Sequence, residues 1–343
     1  MTASLLTQSF LFKKILGQEQ AKRLLWNALK NKRIAPAYIF YGPEGVGRRL
    51  AARFFAAALN CAELGCGVCP SCHKILNDQH PDVSFIYPEV KDIKIENVRE
   101  IQRMMSLKLY EGKWRIVVLD PADSLNETSS NCLLKILEEP PAFSSIILIS
   151  RNPYNLLPTI QSRAQDVAFY PVSLLQIEQT LREEGFEQEQ AHFLSRASLG
   201  CFGRLEGLKS AKGKENREQI LKILTAVSQS SVKKVLQYSE KLVLASREQG
   251  REYLLEVFDF LVLWYRDLLW IKSQGCEEGL FYPVEKKELM QQAQRLSLKD
   301  IQSGLIWLLE AVGLLKHNAH AELTLVATFL RLMGGFGTKE ISL

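Results

Sequence analysis

Four cysteines crowd into one short stretch: Cys61, Cys66, Cys69 and Cys72, with four, two and two residues between them. Two overlapping C-x-x-C turns let three sulfurs converge on one ion, and Cys61 reaches in from the end of the preceding helical stretch. Four thiolates at about 2.3 Å make a closed tetrahedral Zn²⁺ site of the structural kind, with no open position for a reacting water. Disulfides are the competing reading and need an oxidising compartment. His73 abuts Cys72 and is either a substitute ligand or an exposed neighbour. Cys132, Cys201 and Cys276 are scattered and read as small hydrophobes. His80, His192, His317 and His320 lack any pairing that suggests metal or acid–base work.

The second candidate is Gly42-Pro43-Glu44-Gly45-Val46-Gly47-Arg48-Arg49, set between an apolar run and a helical stretch. A working phosphate loop reads G-x-x-x-x-G-K-[ST]: backbone N–H groups cradle phosphates, Lys reaches the β and γ oxygens, and the hydroxyl holds Mg²⁺. The glycine frame Gly42, Gly45 and Gly47 is intact, but Arg48 stands where Lys belongs and Arg49 where the hydroxyl belongs. A guanidinium fork is not a conservative replacement for an ammonium. The run Ile116-Val117-Val118-Leu119-Asp120 supplies the acid of a Mg²⁺ site at a strand end. Pro121 follows, where a hydrolysing enzyme carries Glu to orient water. Losing a general base costs roughly 10²–10⁴ in rate. The residues therefore predict a nucleotide-site fold that no longer hydrolyses, against the alternative of a chance glycine-rich turn.

The elements that position these groups follow from periodicity. Apolar runs at Tyr38–Tyr41, Ile116–Leu119 and Ile146–Ser150 read as strands. Gln18–Asn31, Arg48–Asn60 and Thr128–Glu139 read as helices between them, the last stopped by Pro140-Pro141. Alternation of this kind predicts an α/β fold with a mainly parallel sheet covered by helices on both faces. From residue 173 the strand signal fades. Ser173–Leu208 reads as a small helical unit, followed by helical patterns over Asn216–Val243, Ser246–Lys272 and Ser297–Gly334, with a loop near Gly275, Gly279 and Pro283.

Composition sets the outer bounds. The chain has 343 residues, 47% hydrophobic and 24% charged, which excludes a disordered, collagenous or disulfide-stapled chain. Glu256, Asp259, Arg266 and Asp267 interrupt the most apolar stretch, so no segment is predicted to span a bilayer. Met1–Phe12 carries no basic leader region or small-residue cleavage site, and the expected compartment is cytoplasmic. A net charge of +5 permits contact with nucleic acid without arguing for it alone.

Together these segments resemble the bacterial clamp-loader subunits of the AAA+ class that serve DNA polymerase III. The matching residues are Ile15-Leu16-Gly17-Gln18, Tyr41-Gly42-Pro43-Glu44-Gly45-Val46-Gly47 and Cys66-Gly67-Val68-Cys69-Pro70-Ser71-Cys72. They continue through His80-Pro81-Asp82, Ile93-Lys94-Ile95-Glu96-Asn97-Val98-Arg99-Glu100, Asn131-Cys132-Leu133-Leu134-Lys135-Ile136-Leu137-Glu138-Glu139-Pro140-Pro141 and Leu156-Leu157-Pro158-Thr159-Ile160-Gln161-Ser162-Arg163. The likeness is dense over about 12–170, thinner to Arg204 and weak beyond.

The resemblance implies an AAA+ domain over 1–172 with a zinc module at about 61–72, a helical lid over 173–212 and an all-α collar domain over 213–343. Ser162-Arg163-Ala164 falls on the family's Ser-Arg-Cys motif, whose Arg enters a neighbouring subunit's ATP site as an arginine finger, worth roughly 10³–10⁵ in rate. Ala164 replaces the Cys and leaves the charge in place. Ser150 or Asn152 falls near the family's sensor-1 position. Arg204 resembles its sensor-2 arginine, completing a degenerate nucleotide site with Gly42, Gly45, Gly47, Arg48, Arg49 and Asp120.

The function so implied is a ring member within the polymerase holoenzyme that has no ATPase or polymerase activity of its own, holds structural Zn²⁺ and does not hydrolyse Mg²⁺-ATP. Its implied partners are gamma/tau-like motor subunits and a delta-like subunit in a hetero-pentameric ring, the sliding clamp, and primed DNA through the complex. The alternative is an active gamma/tau-like ATPase, which would need Lys, Ser or Thr, and Glu at positions 48, 49 and 121. A third reading, the cysteine module as a nucleic-acid binder, meets no Lys or Arg between Glu63 and Pro70.

Overall fold

The central strands form where short apolar runs are buried on both faces. The computed structural model describes residues 10–87, 93, 95–228, 231–274, 279–283, 285–316 and 319–334. Its strands are β1 (Ala37–Tyr41), β2 (Val83–Ile86), β3 (Arg115–Leu119), β4 (Ser144–Ser150) and β5 (Gln165–Ala168). All are parallel, in the order β2-β3-β4-β1-β5. The helices of this half are α1 (Phe10–Lys13), α2 (Glu19–Lys30), α3 (Arg48–Asn60), α4 (Pro70–Leu76), α5 (Ile95–Ser106), α6 (Glu127–Glu138) and α7 (Pro158–Gln161).

Side chains alternate across the sheet with period two. Tyr38, Phe40, Ile116, Val118, Ile147 and Ile149 pack into one core with Leu25, Phe55 and Ala56 of α2 and α3. Ile39, Val117, Leu119, Ile146 and Leu148 face the other core with Val98 and Ile101 of α5 and Leu133 of α6. This is the expected covered parallel sheet. Apolar runs mark β1, β3 and β4 in the sequence, while β2 and β5 carry no such run. Asn126 caps α6, its Oδ1 accepting from Ser129 N at 2.8 Å.

Among the described residues the remaining elements are helices: α8 (Leu174–Glu183), α9 (Gln188–Ala197), α10 (Phe202–Lys209), α11 (Ala211–Ser228), α12 (Val232–Gln249), α13 (Arg251–Gln274), α14 (Lys286–Arg295), α15 (Leu298–Lys316) and α16 (Ala321–Gly334). Two of the predicted long helices are in fact pairs. Ser231 takes the N-cap position of α12, dividing the 216–243 pattern. Gly250, at φ 84°, ends α12 and moves the next start from 246 to Arg251. His320 precedes α16 and accepts from Leu323 N at 3.4 Å, dividing the 297–334 pattern. Gly275 lies outside the described residues. The chain separates into two compact units, one running to Gln176 with Gly200–Gly203 added, the other comprising Ile177–Leu199 and the chain from Arg204. Among the described residues no helix is long and apolar enough to cross a membrane.

Candidate functional site

The loop Gly42–Gly47 leaves the C-terminal end of β1 and enters α3. Gly42 adopts φ 144°, and a Cβ there would stand 2.1 Å from the Phe169 carbonyl oxygen, so the position admits only glycine. The loop is also covered from within its own unit. Gly203 N donates to Gly45 O at 3.0 Å, and a Cβ on Gly45 would lie 3.3 Å from the Cys201 Cβ. Gln18 ties the loop to the end of β5: its Nε2 donates to Tyr170 O at 2.6 Å and Val46 O at 3.2 Å, and its Oε1 accepts from Tyr170 N at 3.0 Å.

The two arginines at the loop's end point to protein groups. Arg48 is buried and donates to the Ser150 backbone carbonyl at the end of β4. Burial, the largest influence, lowers its pKa against the pull of Asp120, Glu44 and Asp123. Arg49 Nε donates to Asp120 Oδ2 at 2.5 Å, and its guanidinium lies 4.7 Å from the centroid of the Tyr87 ring. Burial works against the Arg49 charge, but the bond to Asp120 outweighs it and raises the pKa. Mg²⁺ takes hard oxygen ligands in near-octahedral geometry. Here the loop hydroxyl is replaced, and the carboxylate that would face the metal already carries a cation from its own chain. Ser150 Oγ donates to Asp123 Oδ1 at 2.5 Å, and Asn152 Oδ1 accepts from Tyr154 N at 3.1 Å. Glu44, inside the loop, pairs with Arg151 at 2.7 Å.

Ser162 and Arg163 lie elsewhere. Gln165 pairs in register with Tyr38, so Arg163 stands level with the start of β1, at the N-terminal edge of the sheet. Arg163 is thus level with Pro36, and the five residues of β1 lie between that level and Gly42, about 20 Å. Arg163 is part-exposed and donates to Thr159 O at 3.0 Å, Ser162 Oγ at 3.2 Å and Glu138 Oε1 at 2.9 Å. The structure thus gathers Gly42–Gly47, Arg48, Arg49 and Asp120 at one edge and leaves Ser162–Arg163 at the other. Arg204 belongs to the second unit, where it donates to Asp259 at 2.9 Å.

The cysteines do converge. The four Sγ atoms all lie within 4.8 Å of one another. Cys61 is 3.6 Å from Cys66 and 3.8 Å from Cys69. Four sulfurs placed tetrahedrally at 2.3 Å from an ion stand about 3.8 Å apart, so the donor set fits a closed four-coordinate metal site. Backbone N–H groups of Cys69 and Cys72 donate to Cys66 Sγ and Cys69 Sγ at 3.3 and 3.4 Å, which favours thiolates. Burial would raise the Cys61 pKa, yet hydrogen bonds from Cys66, Gly65 and Glu63 bring it down to about 6. Burial pushes the Cys72 thiol up, and its Cys69 and Cys61 neighbours add to that. His73 is exposed and outside the cluster. His80 is buried and accepts from Asp82 N at 3.1 Å, while His192 lies 3.3 Å from Glu178. Cys276, His317 and Lys94 lie outside the described residues.

A parallel sheet in this order, a glycine loop after the strand next to the edge, and an acid at the end of β3 define an AAA+ nucleotide-site fold. A family model described as DNA polymerase III, delta subunit, matches residues 17–173. The DNA polymerase III subunit delta' of Pseudomonas aeruginosa is 30% identical over 301 residues, 84% of this chain and 88% of that protein. The delta' subunit of Bacillus subtilis is 27% identical over 308 residues, 89% of this chain and 93% of that protein. The tau subunit of Bacillus subtilis is 28% identical over 299 residues, 81% of this chain but 53% of tau. The chain belongs to the delta-prime family of DNA polymerase III clamp-loader subunits, a family of DNA replication.

Proposed function

We propose that this chain is the non-hydrolysing delta-prime member of a clamp-loader ring, and that Arg163 serves as an arginine finger in a neighbouring subunit's ATP site. The observation that carries the reading is the placing of Arg163 at the sheet edge opposite its own glycine loop, about 20 Å away along the strands. From there its charge can reach only a nucleotide held by another chain. Its contact with Glu138 is an exposed ion pair, worth about 0–1 kcal/mol, and is readily released to a phosphate.

The Arg49–Asp120 pair and the replaced lysine and hydroxyl support the absence of hydrolysis by this chain, and weigh against the active-motor alternative. In this reading the neighbours are gamma/tau-like ATPases and a delta-like subunit in a cytoplasmic hetero-pentamer. That ring places the sliding clamp on primed DNA, with 173–212 as lid and 213–343 as collar. Cys61, Cys66, Cys69 and Cys72 hold Zn²⁺, which supplies a structural cross-link to their loop.

The test is single-turnover ATP hydrolysis by the loader reconstituted with Arg163→Ala. Hydrolysis at the site served by the finger is expected to fall by roughly 10³-fold or more. Arg163→Lys should not restore it, because an ammonium lacks the planar fork. An unchanged rate overturns the reading.

A further inference from the structure

The helical unit holds a cavity of about 90 Å³ among α9, α10, α11 and α13, beside the 279–283 segment. Its walls are apolar and largely aromatic: Phe186, Phe193, Ile220, Val257, Phe260 and Tyr282. Phe193 and Phe260 both pack on Tyr282, with ring centroids 5.5 and 4.4 Å apart, so ring contacts fix the walls. The charged groups on the lining are unbalanced. Arg204, Lys209 and Arg217 face one acid, Glu256. Asp259 takes up Arg204 at 2.9 Å, and Glu184 and Glu206 take up Lys209 at 2.6 and 3.3 Å. Arg217 differs. Its Nη2 donates to Glu285 Oε1 at 2.5 Å, and its guanidinium lies 3.8 Å from the centroid of the Phe193 ring. Its Nε is buried with no hydrogen-bond partner among the described residues. A buried N–H without an acceptor carries a desolvation cost that an anionic oxygen relieves. Gly207 lines the same space from α10, where the nearest neighbour of an added Cβ would be Glu256 Oε1 at 4.0 Å.

We propose that this cavity binds a short straight-chain carboxylic acid, its alkyl tail among the rings and its carboxylate on Arg217. Charge sets the head group: three cations against one acid on the lining favour an anion. A monoanion is the occupant because a single N–H is on offer, where a phosphate would bring more charge and more oxygens than it can satisfy. Size sets the tail. A dry apolar cavity of about 150 Å³ takes benzene, so one of about 90 Å³ suits a flexible chain of about six carbons better than a ring. The site lies wholly within the helical unit, and the inference does not depend on Arg163 acting as a finger.

The experiment is isothermal titration of the full chain with sodium hexanoate, run alongside pentanoate, butanoate, hexan-1-ol and hexylamine. Saturable, stoichiometric binding of hexanoate is expected. Affinity should climb about three- to four-fold for each methylene added from butanoate to hexanoate. Hexan-1-ol keeps the tail and loses the charge, and should bind about ten-fold more weakly or worse. Hexylamine, of the wrong sign, should not bind. Gly207→Leu should abolish binding without lowering the thermal transition, because a Cβ fits there and leucine is the better helix former. Arg217→Lys should weaken hexanoate about ten-fold and leave hexan-1-ol unchanged. Should that variant not fold, hexanoate against hexan-1-ol in the wild-type chain decides the role of charge. No saturable hexanoate binding up to about 10 mM overturns the proposal. So does equal affinity for hexanoate and hexan-1-ol, which would make the cavity a site for neutral apolar molecules. Wild-type affinity in Gly207→Leu overturns it too, since the ligand would then sit elsewhere.

Discussion

At the scale of the residue, the informative fact is that the guanidinium of Arg49 sits against Asp120 at 2.5 Å. In a working ATPase the equivalent carboxylate is indispensable. Here its partner is a half-exposed guanidinium, so Asp120→Ala should cost about 1 kcal/mol of stability or less. If the chain does not hydrolyse ATP, as proposed, the substitution should also change phosphate release by the reconstituted loader less than about two-fold, because no general base or metal ligand is then removed. A collapse of activity comparable to that expected for Arg163→Ala would show that Asp120 still serves a metal. Asp82 is the contrasting acid. Burial favours its neutral form, but backbone N–H groups of Tyr110, Glu111 and Gly112 and the charge of Arg115 outweigh this and hold its pKa below the usual carboxylate value. A depressed folded pKa contributes stability that is complete above the unfolded pKa of about 3.9 and is lost as the pH falls through the folded value. Asp82→Asn should therefore destabilise the chain by about 3–5 kcal/mol near neutrality, since Arg115 is left buried without its counter-ion. In urea denaturation the gap between wild type and variant should close below about pH 4. A gap that stays constant into acid would mean that packing, not charge, is what Asp82 supplies.

At the scale of the element, cysteine spacing was the most readable signal, because four ligands within twelve residues, from the end of α3 to the first turn of α4, need no long-range information. Its consequence can be measured: about one zinc per purified chain, lost in Cys69→Ser, whose hydroxyl is a poor ligand for that ion. Amide exchange should then quicken through residues 61–76. It should also quicken at Leu11, whose N–H donates to Gly65 O at 3.3 Å. Retained zinc in Cys69→Ser would show that three thiolates suffice. The strands β1, β3 and β4 were legible for a similar local reason, since a buried parallel strand is a nearly unbroken apolar run. β2 and β5 were not. Val83-Ser84-Phe85-Ile86 and Gln165-Asp166-Val167-Ala168 lie at the two edges of the sheet, where half-exposure permits polar residues and erases the run. The helical half erred in the opposite direction. Apolar periodicity carried through 216–243 and 297–334, while the breaks at Ser231 and His320 depend on capping by single polar residues. At the nucleotide-like site the residue types were readable, and the pairing was not. Arg49 meets Asp120 across 71 positions, and Arg163 meets Glu138 from the turn after α7.

At the scale of the whole molecule, the division into two compact units makes a thermodynamic claim. The first unit has two cores, one on each face of the sheet, and the cysteine cluster packs against one of them through Cys61 and Cys72. The second is built from helices around Phe258, Trp264, Tyr282 and Phe329, and holds none of the four clustered cysteines. A metal that binds only the folded form stabilises the unit that contains its ligands, and that stabilisation is removed by a chelator. Calorimetry should accordingly depart from two-state behaviour. A strong thiol-compatible chelator should lower the transition of the first unit by several degrees, on the order of 2–4 °C for each kcal/mol lost. The transition of the helical unit should stay in place, which a reporter in each unit can distinguish: Trp114 in the first and Trp264 in the second, each left as the single tryptophan. If both reporters shift together on chelation, the two units unfold as one cooperative body, and the stability lent by the cysteine cluster extends to the helical unit.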